Sequence, residues 1–148
     1  MNEKVPGQQQ DTPYARIGGE AGTRELVDRF YDAMDRLDKA ATIRAMHPED
    51  LAESRDKLYL FLSGWLGGPA LYNQIHGHPR LRYRHLPFSI GEREAAEWLL
   101  CMATALEEMQ LDDFLRERLM QSFAMTAHHM RNRAEHGHEQ GQGDGNEA

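Results

Sequence analysis

The chain has 148 residues and a formal charge of −7, enough for one domain that hides roughly 70% of the surface its unfolded form exposes. An acidic balance argues against a phosphate-backbone binder, so nucleic acid is not an expected partner. Cys101 is the only cysteine. That excludes an internal disulfide and a thiolate zinc cluster, and it fits a reducing compartment. The first residues, MNEKVPGQQQD, lack a secretory apolar stretch. No segment approaches the ~18 apolar residues of a membrane span, and a cytoplasmic protein without a membrane partner is expected.

Residues 1–11 are polar, and residues 133–148 mix glycine with charge. Both read as disordered extensions of a domain over 12–132. Thr12 followed by Pro13 opens a short helix that Gly18 and Gly19 stop. Leu26, Val27, Phe30, Tyr31, Met34 and Leu37 recur at helical spacing and predict a helix over about 21–37 with Tyr31 inward. A short helix in DKAATIRAMHPED ends before Pro48, which puts His47 at a corner.

Over 49–66, Leu51, Ser54, Leu58, Phe61, Leu62 and Trp65 trace another stripe, and Gly67-Gly68-Pro69 stops it. A brief helical turn at PALYNQI follows. Next comes HPRLRYRHLPFSI at 78–90, with two prolines, three arginines and two histidines, poor as helix or strand. Ser89 with Glu92 suggests a capping box for a helix with Leu99, Met102, Ala105, Leu106 and Met109 on one side beside Trp98. A last helix over Asp112 to about Arg133 buries Leu115, Leu119, Phe123 and Met130. No strand-like alternation occurs; the fold class is all-α.

The sequence has no glycine-rich phosphate loop, G-x-S-x-G, H-E-x-x-H or cysteine pair, so hydrolase and nucleotide chemistry have no motif. A helical shell of Leu, Met, Phe and Trp with histidines at irregular joints suits a protein that encloses an apolar ring and ligates its metal. A haem is such a ring; it needs a neutral imidazole, apolar walls and cations for the propionates. His85, bracketed by Pro79 and Pro87 with arginines at 80, 82 and 84, has those surroundings. Composition alone favours an ordinary loop histidine, since most histidines ligate nothing. His76, His78, His128 and His129 lack companions at zinc-site spacing, and Cys101 reads as a small buried hydrophobe.

The stretches YARIGGE at 14–20, DRFYDAM at 28–34, KLYLFLSGWLGGP at 57–69 and GHPRLRYRHLPF at 77–88 come in order, with Trp98 thirteen residues after His85. Together they resemble the signatures of a group II truncated haemoglobin. The resemblance implies a two-over-two helical sandwich around haem b, with the 67–88 stretch replacing a regular proximal helix. It makes His85 the proximal iron ligand and places Tyr31, Trp98 and His47 on the side where ligand binds. Relatives carry tyrosine or phenylalanine where this chain has His47, which can donate, accept or even reach the iron as a sixth ligand. Ser54 falls on the small position facing the ligand. Lys57 and Arg84 match propionate partners, and Leu58, Phe61, Leu62, Tyr72, Leu81, Phe88 and Met102 match pocket lining.

By the same resemblance the expected partners are O2, NO, CO or peroxide, with an unidentified reductase, and the protein is a monomer or weak dimer. Slow gas release would suit redox chemistry of oxygen with nitric oxide, or of peroxide, better than storage. A haem-based gas sensor and a cofactor-free helical interaction module are the readings from other classes.

Overall fold

The computed structural model describes residues 11–132, and they contain helices and connecting turns with no strand. The extensions expected at 1–11 and 133–148 lie, but for residue 11, outside the described residues. The helices are α1 (Pro13–Arg16), α2 (Gly19–Arg36), a 3-10 turn at Asp38–Ala40, α3 (Ala41–Ala45), α4 (Ala52–Trp65), α5 (Leu71–His76), α6 (Leu81–His85), α7 (Glu92–Glu108) and α8 (Asp113–Met130). Helix α2 packs on α4 and α7, and α7 packs on α8, so two long helix pairs enclose the core. No helix among the described residues is long and apolar enough to cross a membrane.

The starts and stops follow local chemistry. The Thr12 hydroxyl accepts from the Ala15 N–H at 3.1 Å, capping α1. Gly67, at φ 100°, turns the chain out of α4 in the left-handed region that glycine enters without steric cost. The Asp112 carboxylate caps α8 by accepting from the Leu115 N–H at 2.9 Å. Helix α2 begins at Gly19 itself, two residues before the apolar stripe suggests, and α8 ends at Met130, where Arg131 turns extended.

Two expectations are corrected. The helix cap lies at Gly91 with Glu94, not at Ser89 with Glu92: the Gly91 N–H donates to Glu94 Oε1 at 2.8 Å and the helix starts at Glu92. Ile90 cannot be helical because Asn132 pairs with it on both sides, Ile90 N to Asn132 Oδ1 at 2.9 Å and Asn132 N to Ile90 O at 2.8 Å. The irregular 78–90 stretch also holds a short helix, α6, entered through Arg80 at φ 49°.

Leu26, Val27, Phe30, Met34, Leu62, Met102, Leu106 and Phe123 are fully buried at the centre. Cys101 is buried among them. Burial pushes its thiol up to about 11, with Glu97 adding to the rise and Arg36 opposing it. A thiol so raised stays protonated at about pH 8. The native protein is therefore expected to leave Ellman's reagent unreacted there and to release its one thiol only on unfolding; prompt labelling of the native form would contradict the burial.

Candidate functional site

A cavity of about 310 Å³ opens between α2, α3, α4, α6, α7 and α8. From α2 comes Tyr31, whose ring stands edge-on to Phe30 at 4.9 Å. Its burial raises the phenol pKa against the opposing pull of Arg55, so the hydroxyl stays a neutral donor. Arg55 itself ties α4 to α2 through Asp28 at 3.0 Å and Asp32 at 2.9 Å. Sequence periodicity gave no sign of this clamp.

The corner after α3 places His47 in the wall, its ring edge-on to Tyr31 at 5.8 Å. Arg44 holds that corner, donating to the carbonyls of Pro48 and Glu49, each at 2.9 Å. The Ile43 N–H donates to Glu97 Oε1 at 3.0 Å, which fastens α3 to α7. His47 Nδ1 lies 2.8 Å from the Ile43 carbonyl. A carbonyl only accepts, so Nδ1 carries the proton, which leaves Nε2 as the nitrogen that can hold a lone pair.

On the other side, α6 brings Leu81 and His85 into the wall, followed by Phe88 and Ile90. His85 Nδ1 lies 2.7 Å from the Leu81 carbonyl, so it too is protonated at Nδ1 with a free pair on Nε2. The segment is held from outside by Asn132, whose amide nitrogen donates to the carbonyls of His85 at 3.2 Å and Phe88 at 3.0 Å. Asn132 is a positioning residue that no motif announced.

Helix α4 contributes Ser54, Leu58, Phe61, Leu62 and Trp65, and α7 contributes Trp98. The Trp98 ring is held edge-on between Phe30 at 5.5 Å and Phe123 at 5.6 Å. Phe123 also stacks on Trp65 at 4.4 Å. Of the residues expected around the cofactor, Tyr31, His47, Ser54, Leu58, Phe61, Leu62, Leu81, His85, Phe88 and Trp98 line this one cavity.

Four others do not. Met102, one turn past Trp98, is fully buried in the core. Tyr72 packs on His76 at 4.7 Å, with the Arg84 guanidinium 5.8 Å from its ring. Arg84 donates to the Pro79 carbonyl at 2.8 Å. Lys57 pairs with Glu53 along α4 at 3.2 Å. Ile43, Met46, Pro48, Ile90, Glu94, Ala95 and the α8 residues Phe123, Thr126, Ala127 and Met130 complete the wall. Helical periodicity marks such positions as inward-facing without saying whether they meet a neighbour or a hollow.

The site's chemistry fits an apolar ring with a metal at its centre. Its walls are largely hydrocarbon and aromatic, and two imidazoles present lone-pair nitrogens with their other nitrogen already engaged. A second hollow of about 330 Å³ shares Trp65 and Thr126 but has no imidazole in its wall.

Comparison with known proteins agrees with the geometry. The bacterial-like globin family matches residues 12–132. A group 2 truncated haemoglobin of Bacillus subtilis is 42% identical over 129 residues, covering 87% of this chain and 95% of the relative. The group II two-on-two haemoglobin structure from the plant pathogen Agrobacterium tumefaciens superposes with a TM-score of 0.80 at 44% identity, over 90% of this chain and 98% of that one. The structure of a truncated oxygen-avid haemoglobin from Bacillus subtilis gives 0.75 at 41%, over 82% and 100%. This chain belongs to the bacterial-like globins and is a group II truncated haemoglobin, a two-on-two helical fold that binds haem and, through it, small gaseous ligands.

Proposed function

We propose that the cavity holds haem b with His85 Nε2 as the proximal ligand, and that Tyr31, His47 and Trp98 form the gas-facing side. The observation that carries this reading is the pair Leu81 O and His85 Nδ1 at 2.7 Å, which fixes the tautomer a metal ligand requires. Cavity size supports it as well. Unfilled apolar space costs a packed core stability, so a cofactor-free bundle meant to pack only on itself has no reason to keep this hollow.

Haem supplies a centre that takes O2, NO or CO reversibly and passes between ferrous and ferric states. The protein's side chains decide how a bound gas is held. Trp98 Nε1–H is a donor only, and the buried Tyr31 hydroxyl stays protonated. His47, its Nδ1 engaged by the Ile43 carbonyl, is left with Nε2 to face a bound gas beside the two donors. Its lone pair also makes His47 the candidate sixth ligand, which a low-spin ferric spectrum would report. Ser54, small and half-buried, leaves room for gas to enter.

Two donors worth about 1.5–3 kcal/mol each toward a gas with partial negative charge slow its release about a hundredfold or more. Slow release favours chemistry over carriage, and the oxygen-avid relative supports that direction. The activity proposed is oxygen-dependent conversion of nitric oxide to nitrate, with peroxide reduction as the related reaction. A cytoplasmic location suits the free, buried thiol, and the assembly proposed is a monomer or weak dimer.

Haem titration of the apoprotein, followed by oxygen dissociation from wild type and Trp98→Phe, tests the reading. Stoichiometric uptake and release about tenfold faster or more in the variant are expected for loss of one such donor. No uptake defeats the haem reading, and unchanged release defeats the donor role of Trp98.

A further inference from the structure

Charge is segregated along this chain. No aspartate or glutamate lies between Asp56 and Glu92, whereas Arg80, Arg82 and Arg84 fall within that interval of a chain whose net charge is −7. All three arginines are exposed, at or within α6. Arg82 reaches the end of α8, donating to the Arg131 carbonyl at 3.2 Å. Large apolar side chains of the same stretch also stand in solvent, Tyr83 at 68% and Leu86 at 49% exposed, as does Ile75 at 64% on α5, whose Tyr72 ring lies 5.8 Å from the Arg84 guanidinium. Single exposed apolar residues are ordinary, but three within the same twelve residues, 75–86, as three exposed arginines mark a contact surface.

We propose that this basic face docks an acidic one-electron carrier protein, with a flavin or iron–sulfur centre, that reduces the haem. The inference rests on the haem reading of the cavity. An acidic carrier is repelled by the net charge of the chain and attracted at this carboxylate-free stretch, so the charge pattern favours one orientation of approach. The arginines steer it, and Tyr83, Leu86 and Ile75 supply the apolar centre that excludes water from the contact. The position favours an electron donor over any other acidic protein, because α6 ends in His85, which lines the cavity. One electron leaves the reduced carrier and enters ferric haem, giving ferrous haem and the oxidised carrier; no bond is made or broken and no proton is required.

The test uses haem-loaded ferric protein, wild type and Arg80→Glu/Arg82→Glu, mixed rapidly with reduced flavodoxin and with reduced plant-type ferredoxin. Titration calorimetry with the oxidised carriers reads binding separately from electron transfer. Wild type is expected to bind and be reduced at a rate that falls steeply with added salt, and the double variant to be reduced about tenfold more slowly or worse. Reduction by dithionite and the ferrous carbon monoxide spectrum should be the same in both, which shows an intact fold and site. Arg80→Gln/Arg82→Gln should fall between the two.

Equal rates in wild type and variant, or rates insensitive to salt, overturn the proposal. So does arginine-dependent binding to phosphatidylcholine–phosphatidylglycerol vesicles with no binding of either carrier, which would assign the face to a lipid surface. A protein that takes up no haem fails at the first spectrum, so that outcome defeats the parent reading and is told apart from a docking failure.

Discussion

Replacing His85 by alanine is expected to cost more than about a hundredfold in haem affinity, because even groups that only orient a ligating histidine cost about ten- to a hundredfold when removed. His85 is the one imidazole that α6 presents to the cavity, and its Nδ1 donates to the Leu81 carbonyl at 2.7 Å, which leaves Nε2 for the metal. The variant loses the metal bond but keeps most of the walls, since Leu58, Phe61, Leu62 and Trp98 belong to other segments. It should take up haem weakly and release it quickly to an acceptor such as apomyoglobin. Free imidazole, which fits the space left by the side chain, should restore a wild-type-like spectrum. Asn132→Ala tests the support of the same segment. Its amide secures the carbonyls of His85 and Phe88, so haem loss about tenfold faster is expected without a change of coordination. His47→Ala should retain haem. If His85→Ala binds haem as wild type does and His47→Ala does not, the two faces of the pocket have been assigned the wrong way round.

The contrast between His85 and Asn132 shows what a linear reading can recover. Helix α2 was legible because its apolar residues recur on one side, and α1 because Thr12 and Pro13 carry a capping signal; both depend on neighbours within a turn or two. The start of α7 was not legible. Asn132 fixes Ile90 across 42 positions of sequence, and that long-range pairing overrides the local Ser89–Glu92 pattern. For the same reason, α6 was hidden inside a proline-rich stretch.

At the site, motif resemblance located the imidazoles and Trp98, while lining by helical spacing was less discriminating. Met102 shares the inward stripe of α7 but meets other core side chains, whereas Thr126, Ala127 and Met130 of α8 reach the hollow. The arginine clamps at 44 and 55 left no periodic signal, since a charged residue reads as solvated until its partners are known.

Gly22→Ala is the substitution expected to damage the fold most for its size. In an ordinary helical position this change stabilises by about 1 kcal/mol. Here the added Cβ would lie 1.8 Å from the Ile17 carbonyl oxygen and 2.5 Å from its carbon. Those are backbone atoms, so no rotamer change relieves the contact and α1 has to move. Its other side is also blocked. The Tyr14 N–H donates to the Leu66 carbonyl at 2.9 Å, and Tyr14 lies so close to Gly68 that a Cβ there would meet its ring at 2.5 Å. Pinched between α2 and the turn after α4, α1 can yield only by undocking, which withdraws Ile17 from the core. Overpacking of this kind costs about 3 kcal/mol or more, outweighs the helical gain and lowers the midpoint by roughly 10 °C for a domain of this length. Gly77→Ala is the comparator: nothing lies within 4 Å of its Cβ, and only the backbone at φ 79°, ψ −159°, a region essentially confined to glycine, resists the change, at a cost of about 1–3 kcal/mol that leaves α1 in place. Thermal unfolding followed by circular dichroism separates them, and a Gly22→Ala midpoint at or above wild type would show that α1 moves freely. Neither Ile17 nor Gly22 lines the cavity. Below its melting transition the variant should therefore bind haem with the wild-type spectrum, its defect confined to the cost of keeping α1 in place.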